Sequence, residues 1–281
     1  MSLLPELGVL LASIFAGIFG SMLGLGAGVF FVPILSVFFG VPLKAAVAAS
    51  AVSVIVNSTS GTAVYLKNRM TNVRLALVME LTTTLGAIGG GVLVILVSVD
   101  VLRLVLGLSL LGMGAAMLLR KREISPISEG PDRLRLRQTY TDPVTQLDVT
   151  YIPTRAGLGL AAASFAGVLS GMLGIGGGAV KVPILNSIMR VPLKATIGTS
   201  MYMVGITVSA SAFLYYSHGL IDPSVAVPAL LGVAIGAQAG SRIGRRLRGR
   251  VLTRLLVAVL FYLAVTLLLQ SFGVQLPGTK A

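Results

Sequence analysis

Cysteine and tryptophan are absent from this 281-residue chain, histidine occurs once, and only 11% of the residues are charged. Without cysteine there are no disulfides, no thiolate nucleophile and no Cys-ligated metal. A single histidine removes His-cluster metal sites and most imidazole acid–base chemistry. Without tryptophan, only tyrosine can form an interfacial aromatic belt. The shortage of charge is the most restrictive absence. A soluble domain carries about 25% charged residues, and 11% is too little to cover a water-facing surface, which excludes a soluble enzyme. With 55% apolar residues and a mean hydropathy of +0.95, the remaining class is an all-α integral membrane protein. The net charge of +13 would raise nucleic acid as a partner for a soluble protein. Here loop charge accounts for it, so the expected partners are membrane lipid and a small ligand, with no nucleic acid.

A spanning helix needs about 20 apolar residues. The long apolar stretches are 7–40, 45–66, 75–97, 104–119, 156–189, 195–216, 224–241 and 255–272. Between them, residues 120–155 hold seven Lys/Arg, five Asp/Glu and four prolines. That composition reads as a solvated, flexible linker. Its Thr/Tyr/Val-rich part, 138–151, surrounds an Asp142-Pro143 turn and has a small hairpin as its alternative. The N-terminus lacks the basic n-region of a signal peptide. Residues 16–50 and 166–200 align without gaps at an offset of 150, with 17 of 35 positions identical. The chain therefore divides into an N-terminal transmembrane repeat (1–119), a linker (120–155) and a C-terminal transmembrane repeat (156–281).

Cytoplasmic loops collect Lys and Arg. Placing loops 67–74, 120–155, 186–194 and 242–254 inside puts 18 basic residues inside and 3 outside. The linker and loop 186–194 then lie on one side, so stretch 156–189 enters and leaves by the same face. A single helix of that length would measure about 51 Å, too long for a hydrocarbon core of about 30 Å. A V-shaped pair of half-helices fits, broken at Gly24–Gly28 and Gly174–Gly178. Each half becomes one V plus three crossings. An odd crossing number makes the repeats inverted. A kinked single span is the rival arrangement.

Irregular backbone at membrane depth must be buried in protein or line a cavity. After each break a helix restarts with unpaired N–H groups and a positive dipole end. Two such ends facing one point suit an anion, which makes Gly26, Gly28, Gly176, Gly177 and Gly178 candidate substrate-binding positions. Gly86, Gly90, Gly232, Gly236 and Gly240 read instead as helix-packing residues. Two ionisable residues lie within apolar stretches, Lys181 and Glu80, and such residues are costly to bury. Lys181 is a candidate substrate-facing cation, or else the partner of a carbonyl or of Glu80. Glu80 is a coupling candidate, with snorkelling to water as its plain alternative. Asn57 and Gln238 offer amides, Ser50 and Ser200 hydroxyls, either to substrate or for joining helices. Lys44 and Lys194 read as interfacial anchors. No metal site, cofactor or catalytic residue is expected.

The twin Gly-x-Gly-x-Gly breaks, each followed by Val-Pro-Ile-Leu and then Val-Pro-Leu-Lys-Ala and a Ser-bearing helix, resemble the TauE/SafE sulfite exporter family of bacterial permeases. The resemblance covers 7–119 and 156–272, and it does not extend to Lys181 or the linker. It implies a multi-pass protein of the bacterial inner membrane. It further implies gradient-driven transport, in the export direction, of small organosulfur or related anions such as sulfite, sulfoacetate and other C2 sulfonates. An anion channel or a carboxylate/sulfate permease of the same fold is the alternative. An enzyme is disfavoured by the absence of cysteine, of an intramembrane histidine and of paired intramembrane carboxylates. Oligomeric state is left open, a homodimer being one option.

Overall fold

A computed structural model describes residues 3–118, 132, 134–246 and 249–271. The N-terminal half comprises α1 (Leu3–Leu23), α2 (Gly28–Pro33), α3 (Leu43–Lys67), α4 (Val73–Leu96) and α5 (Val99–Leu118). The C-terminal half repeats that order in α6 (Ala156–Leu173), α7 (Gly178–Pro183), α8 (Leu193–Ser217), α9 (Pro223–Gly244) and α10 (Gly249–Ser271). Five described helices (α3, α4, α6, α8 and α9) are long and apolar enough to cross a membrane. Their outward faces carry Leu81, Leu85, Phe213 and Leu231, side chains that are stable in lipid and not in water.

Local chemistry explains the boundaries. Gly24, Gly26, Gly174, Gly176 and Gly177 take left-handed backbone with φ from 61° to 82°, a conformation that a side chain makes costly and that ends α1 and α6. Pro33 and Pro183 close the short helices after the breaks. Each lacks an N–H for the i−4 ladder, and each chain widens into a π turn, Ile34–Phe38 and Ile184–Ile188. The Asn72 side chain caps α4 by accepting from the Leu75 N–H at 3.0 Å, and Asp222 caps α9 through the Ser224 N–H.

The halves interlock. α1 packs along α9 and α6 along α4, while α3 packs on α8 and α5 on α10. Adding 150 to one contact generates its counterpart, so the halves are related by an approximate two-fold exchange. Glycine sets the closeness: a Cβ on Gly236 or Gly240 would overlap the Ile14 or Ile18 carbonyl of α1, and one on Gly86 or Gly90 the Ser164 or Val168 carbonyl of α6. These four residues are packing glycines, as expected.

Contacts between loops group them into two ends. The Thr154 N–H donates to the Met189 carbonyl at 2.9 Å, so the broken stretch α6–α7 returns to the end where it began. Gly8 lies against the Phe39 ring, and α1–α2 does likewise. Arg245 donates to the Asn68 Oδ1 at 2.6 Å, and Gln138 donates to the carbonyls of Arg69 and Thr71 at 2.8 and 2.9 Å. Loops 67–72, 189–192 and 245–246 and residue 138 therefore share one end. Lys44, bonded to the Ile95 carbonyl at 3.3 Å, marks the other.

The tract expected to be a flexible linker is ordered in its later part. β1 (Gln138–Thr141) pairs antiparallel with β2 (Asp148–Tyr151), Gln138 opposite Tyr151 and Thr141 opposite Asp148. Tyr140 and Tyr151 are buried with Met70, Leu75 and Met189. Burying those two rings against the bundle offsets the ordering entropy that a polar hairpin alone would not. Asp142 meets Lys194 at 2.6 Å. Residues 119–131 and Arg248 of the basic run lie outside the described residues.

Candidate transport site at the crossed glycine breaks

The two breaks touch. A Cβ on Gly28 would come within 2.6 Å of the Gly174 carbonyl oxygen, and one on Gly178 within 2.5 Å of the Gly24 carbonyl oxygen. Each is stitched to the opposite half by the twin serines. Ser50 Oγ donates to the Gly174 carbonyl at 2.9 Å and Ser200 Oγ to the Gly24 carbonyl at 2.7 Å. Tyr65 and Tyr215 bond one turn before each break but within their own half, donating to the carbonyls of Ser21 and Gly171. The tips, Gly26 and Gly176, face Val54 and Val204, themselves repeat mates. Those valines pack on both tips, and Val208 on that of Gly176.

The only charged side chains buried among the described residues lie next to the second break. Lys181 is fully buried and Glu80 is 5% exposed. Lys181 Nζ stands 3.6 Å from Glu80 Oε2 and donates to Thr207 Oγ1. Thr207 Oγ1 in turn lies in hydrogen-bond contact with Glu80 Oε1 and 3.0 Å from the Met203 carbonyl. Thr84 donates to the same Oε1 at 3.3 Å, while Oε2 has the lysine charge and no hydrogen bond. Of the alternatives for Lys181, partnership with Glu80 is what the structure displays, and Glu80 does not snorkel. An ion pair this dry persists because each charge removes the other's burial penalty.

Asn57 sits at 0% exposure beside the first break. With the amide oriented to satisfy both ends, its oxygen accepts from the Ala27 N–H at 3.0 Å and its nitrogen donates to the Gly17 carbonyl at 3.2 Å. It thus caps the restarted helix of its own half. Gln238 is not brought to the breaks. It is exposed on the outer face of α9, in line with Leu231 and Ile235, and its Oε1 accepts from Arg242 at 3.3 Å. Apolar residues surround the sequence of α9, so periodicity alone did not fix which side the amide faces. Ser50 and Ser200 reach the breaks, but their hydroxyls are committed to carbonyls there. Thr207, which the 150-residue offset aligns with Asn57, proves central to the ion pair. Among the described residues no three His, Asp or Glu side chains gather where a metal ion could sit.

Comparison with known proteins agrees with this architecture. The profile of the sulfite exporter TauE/SafE family matches residues 9–267. A probable membrane transporter protein, YunE of Bacillus subtilis, is 24% identical over 228 residues, covering 79% of this chain and 82% of its own. A probable membrane transporter protein of Xylella fastidiosa (strain 9a5c) is 29% identical over 224 residues, 78% of each chain. The probable membrane transporter protein MJ0441 of Methanocaldococcus jannaschii is 27% identical over 211 residues, 73% of this chain and 69% of its own. No solved structure matches. With its membrane-spanning helices and the family match over nearly the whole chain, this is a multi-pass membrane transporter and not an enzyme, and it belongs to the sulfite exporter TauE/SafE family.

Proposed function

We propose that the chain is a secondary transporter of the bacterial plasma membrane that moves small organosulfur or related anions, such as sulfite, sulfoacetate and other C2 sulfonates, in the export direction. The observation that carries this reading is the meeting of two glycine breaks beside a dry Lys181–Glu80 pair. Restarted helices present N–H dipoles to anions, and a lysine held by a carboxylate is a cation that a substrate anion can take over. In the resting molecule Glu80 neutralises Lys181. An arriving oxyanion displaces it, and the freed carboxylate takes up a proton or another coupling cation, which ties substrate movement to a gradient. The repeats are read as inverted, with the basic loops and hairpin in the cytoplasm. The grouping of those loops at one end supports this assignment, as does the basic excess there. Opening would withdraw Val54 and Val204 from the breaks on alternate sides.

The test is counterflow in proteoliposomes loaded with unlabelled sulfoacetate, sulfite or acetate. The expected result is transient accumulation of labelled sulfoacetate or sulfite that saturates with concentration and collapses in Lys181→Met. Non-saturating flux without counterflow would establish a channel. Counterflow with acetate alone would establish a carboxylate carrier.

A further inference from the structure

The two breaks are alike in sequence but not in what fills them. At the first, position 20 is glycine because the backbone occupies its side-chain space: a Cβ there would lie 2.6 Å from both the Ala27 nitrogen and the Gly26 carbonyl carbon. The Ala27 N–H, which would otherwise point free, is taken by Asn57. At that break the space beside position 20 is filled by backbone and the Ala27 N–H is capped.

At the second break every one of these fillings is missing. The mate of Gly20 is Ser170 and the mate of Asn57 is Thr207, which is too short to cap and is committed to Lys181 and Glu80. The mate of Ala27 is Gly177, which adopts φ 64° where Ala27 has φ −63°. Room for the Ser170 side chain exists because the backbone has swung into this left-handed turn. Ser170 is 0% exposed, yet its Oγ has no hydrogen-bond partner. It lies against Gly177, 3.5 Å from where a Cβ on that residue would stand. Among the described residues no backbone acceptor takes the N–H groups of Gly176, Gly177, Gly178 or Ala179. Those of Gly26, Gly28 and Val29 at the first break lack one too, so the amide that distinguishes the breaks is that of Gly177, whose counterpart on Ala27 is taken by Asn57. A buried hydroxyl and several amides without partners among the described residues are disfavoured unless something completes them. Lys181, one turn further along α7, supplies positive charge on the same side.

Resting on the transport reading above, we infer that the oxyanion head group is bound at the second break only, by Ser170 Oγ together with the free N–H groups of residues 176–179. The pseudo-symmetric first break serves as a self-capped scaffold. The site is therefore single, with one anion per chain. Lys181 provides the charge and Ser170 the directional hydrogen bond, so the two can be separated by experiment.

The measurement is calorimetric titration of the full-length chain in detergent with sulfoacetate and with sulfite, alongside its melting temperature without ligand. Ser170→Ala deletes a hydroxyl that bonds nothing among the described residues, so the unliganded melting temperature stays equal or rises. Loss of a hydrogen bond to a charged ligand should weaken affinity by on the order of tenfold to a hundredfold. The stoichiometry expected is one per chain. Unchanged affinity in Ser170→Ala, with binding lost in Lys181→Met, overturns this inference and leaves the transport reading intact. A lower melting temperature with unchanged affinity likewise overturns it, by making Ser170 structural. Weakened binding in Ser170→Ala but not in Lys181→Met sustains the inference and removes Lys181 from the site. Two anions per chain would refute the single-site claim. Failure of the wild-type chain to bind either anion would overturn both readings together.

Discussion

The Lys181–Glu80 pair gives the sharpest energetic expectation. Two unit charges 3.6 Å apart attract by about 4.6 kcal/mol at an effective dielectric constant of about 20. Burial of both side chains opposes that gain with a desolvation penalty of similar size, so the intact pair is worth little net stability. Removing one partner is different, because it leaves the other charge buried and alone, at a cost of about 3–5 kcal/mol. Glu80→Gln and Lys181→Met should each lower the melting temperature in detergent, by roughly 6–20 °C at about 2–4 °C per kcal/mol. The double variant should recover to within a few degrees of wild type or exceed it, since neither charge then remains to be desolvated. The coupling energy from the four melting curves should be several kcal/mol and favourable. Additive losses in the double variant would refute the reasoning, by showing that the two charges do not stabilise each other. Transport should be absent from the double variant despite its restored stability, which separates the role of the charges in function from their role in folding.

Three further outcomes follow from the geometry. Gly28→Ala and Gly178→Ala place a methyl within about 2.6 Å of the opposite break's backbone, so expression of folded protein and melting temperature should fall together with transport. For Gly26→Ala the closest neighbour is 3.1 Å away, and strain from its left-handed φ should cost about 1–2 kcal/mol. Burial pushes the Asp142 carboxyl up, but the Lys194 ammonium and the N–H groups of Val144 and Thr145 outweigh it and hold it below the usual carboxylate range. The hairpin's attachment is thus fully present above the ordinary carboxylate value of about 3.9 and is lost as pH falls through the lower folded value. Asp142→Asn should speed tryptic cleavage at Arg135 and Arg137 at neutral pH, and an unchanged rate would show that the buried tyrosines alone hold the hairpin. The cysteine-free chain suits single-cysteine labelling with an impermeant maleimide. His218→Cys should react in intact cells and Gln146→Cys only after permeabilisation, and the reverse pattern would invert the membrane orientation.

The repeat, the glycine breaks and the packing glycines were legible in the sequence because each is written as spacing and identity along one strand of text. What was not legible depends on rotation and on distance in space. Gln238 and Asn57 both sit in apolar helices with no strongly polar face, and nothing in the order of residues told that one amide turns inward to the Ala27 N–H and the other outward to Arg242. Glu80 and Lys181 are 101 positions apart, and only the crossing of α4, α7 and α8 brings them together. The hairpin reads as polar linker because its two stabilising tyrosines are matched by a surface assembled from distant segments, Met70, Leu75 of α4 and Met189. Ser170 did leave a trace: where the first half reads Gly20-Ser21, the second reads Ser170-Gly171. Such a local departure between otherwise matched repeats is the signal that could have found it.

The exchange of partners between halves also constrains how the protein is made. α1 leaves the ribosome long before its main packing surface, α9, which ends at Gly244. At about 5–20 residues per second, the roughly 200 residues in between take about 10–40 s to synthesise. Throughout that interval α1 lacks the α9 glycines Gly232 and Gly240 that later cover Ser13 and Ser21. Its waiting state is therefore a helix joined to α3 but with its small-residue face uncovered, open to pairing with other nascent chains or to shelter by insertion factors. α6 has no such delay, because α4 is already in the bilayer when it arrives. Biogenesis should accordingly be asymmetric even though the finished architecture is nearly symmetric, with the N-terminal half last to reach its final packing.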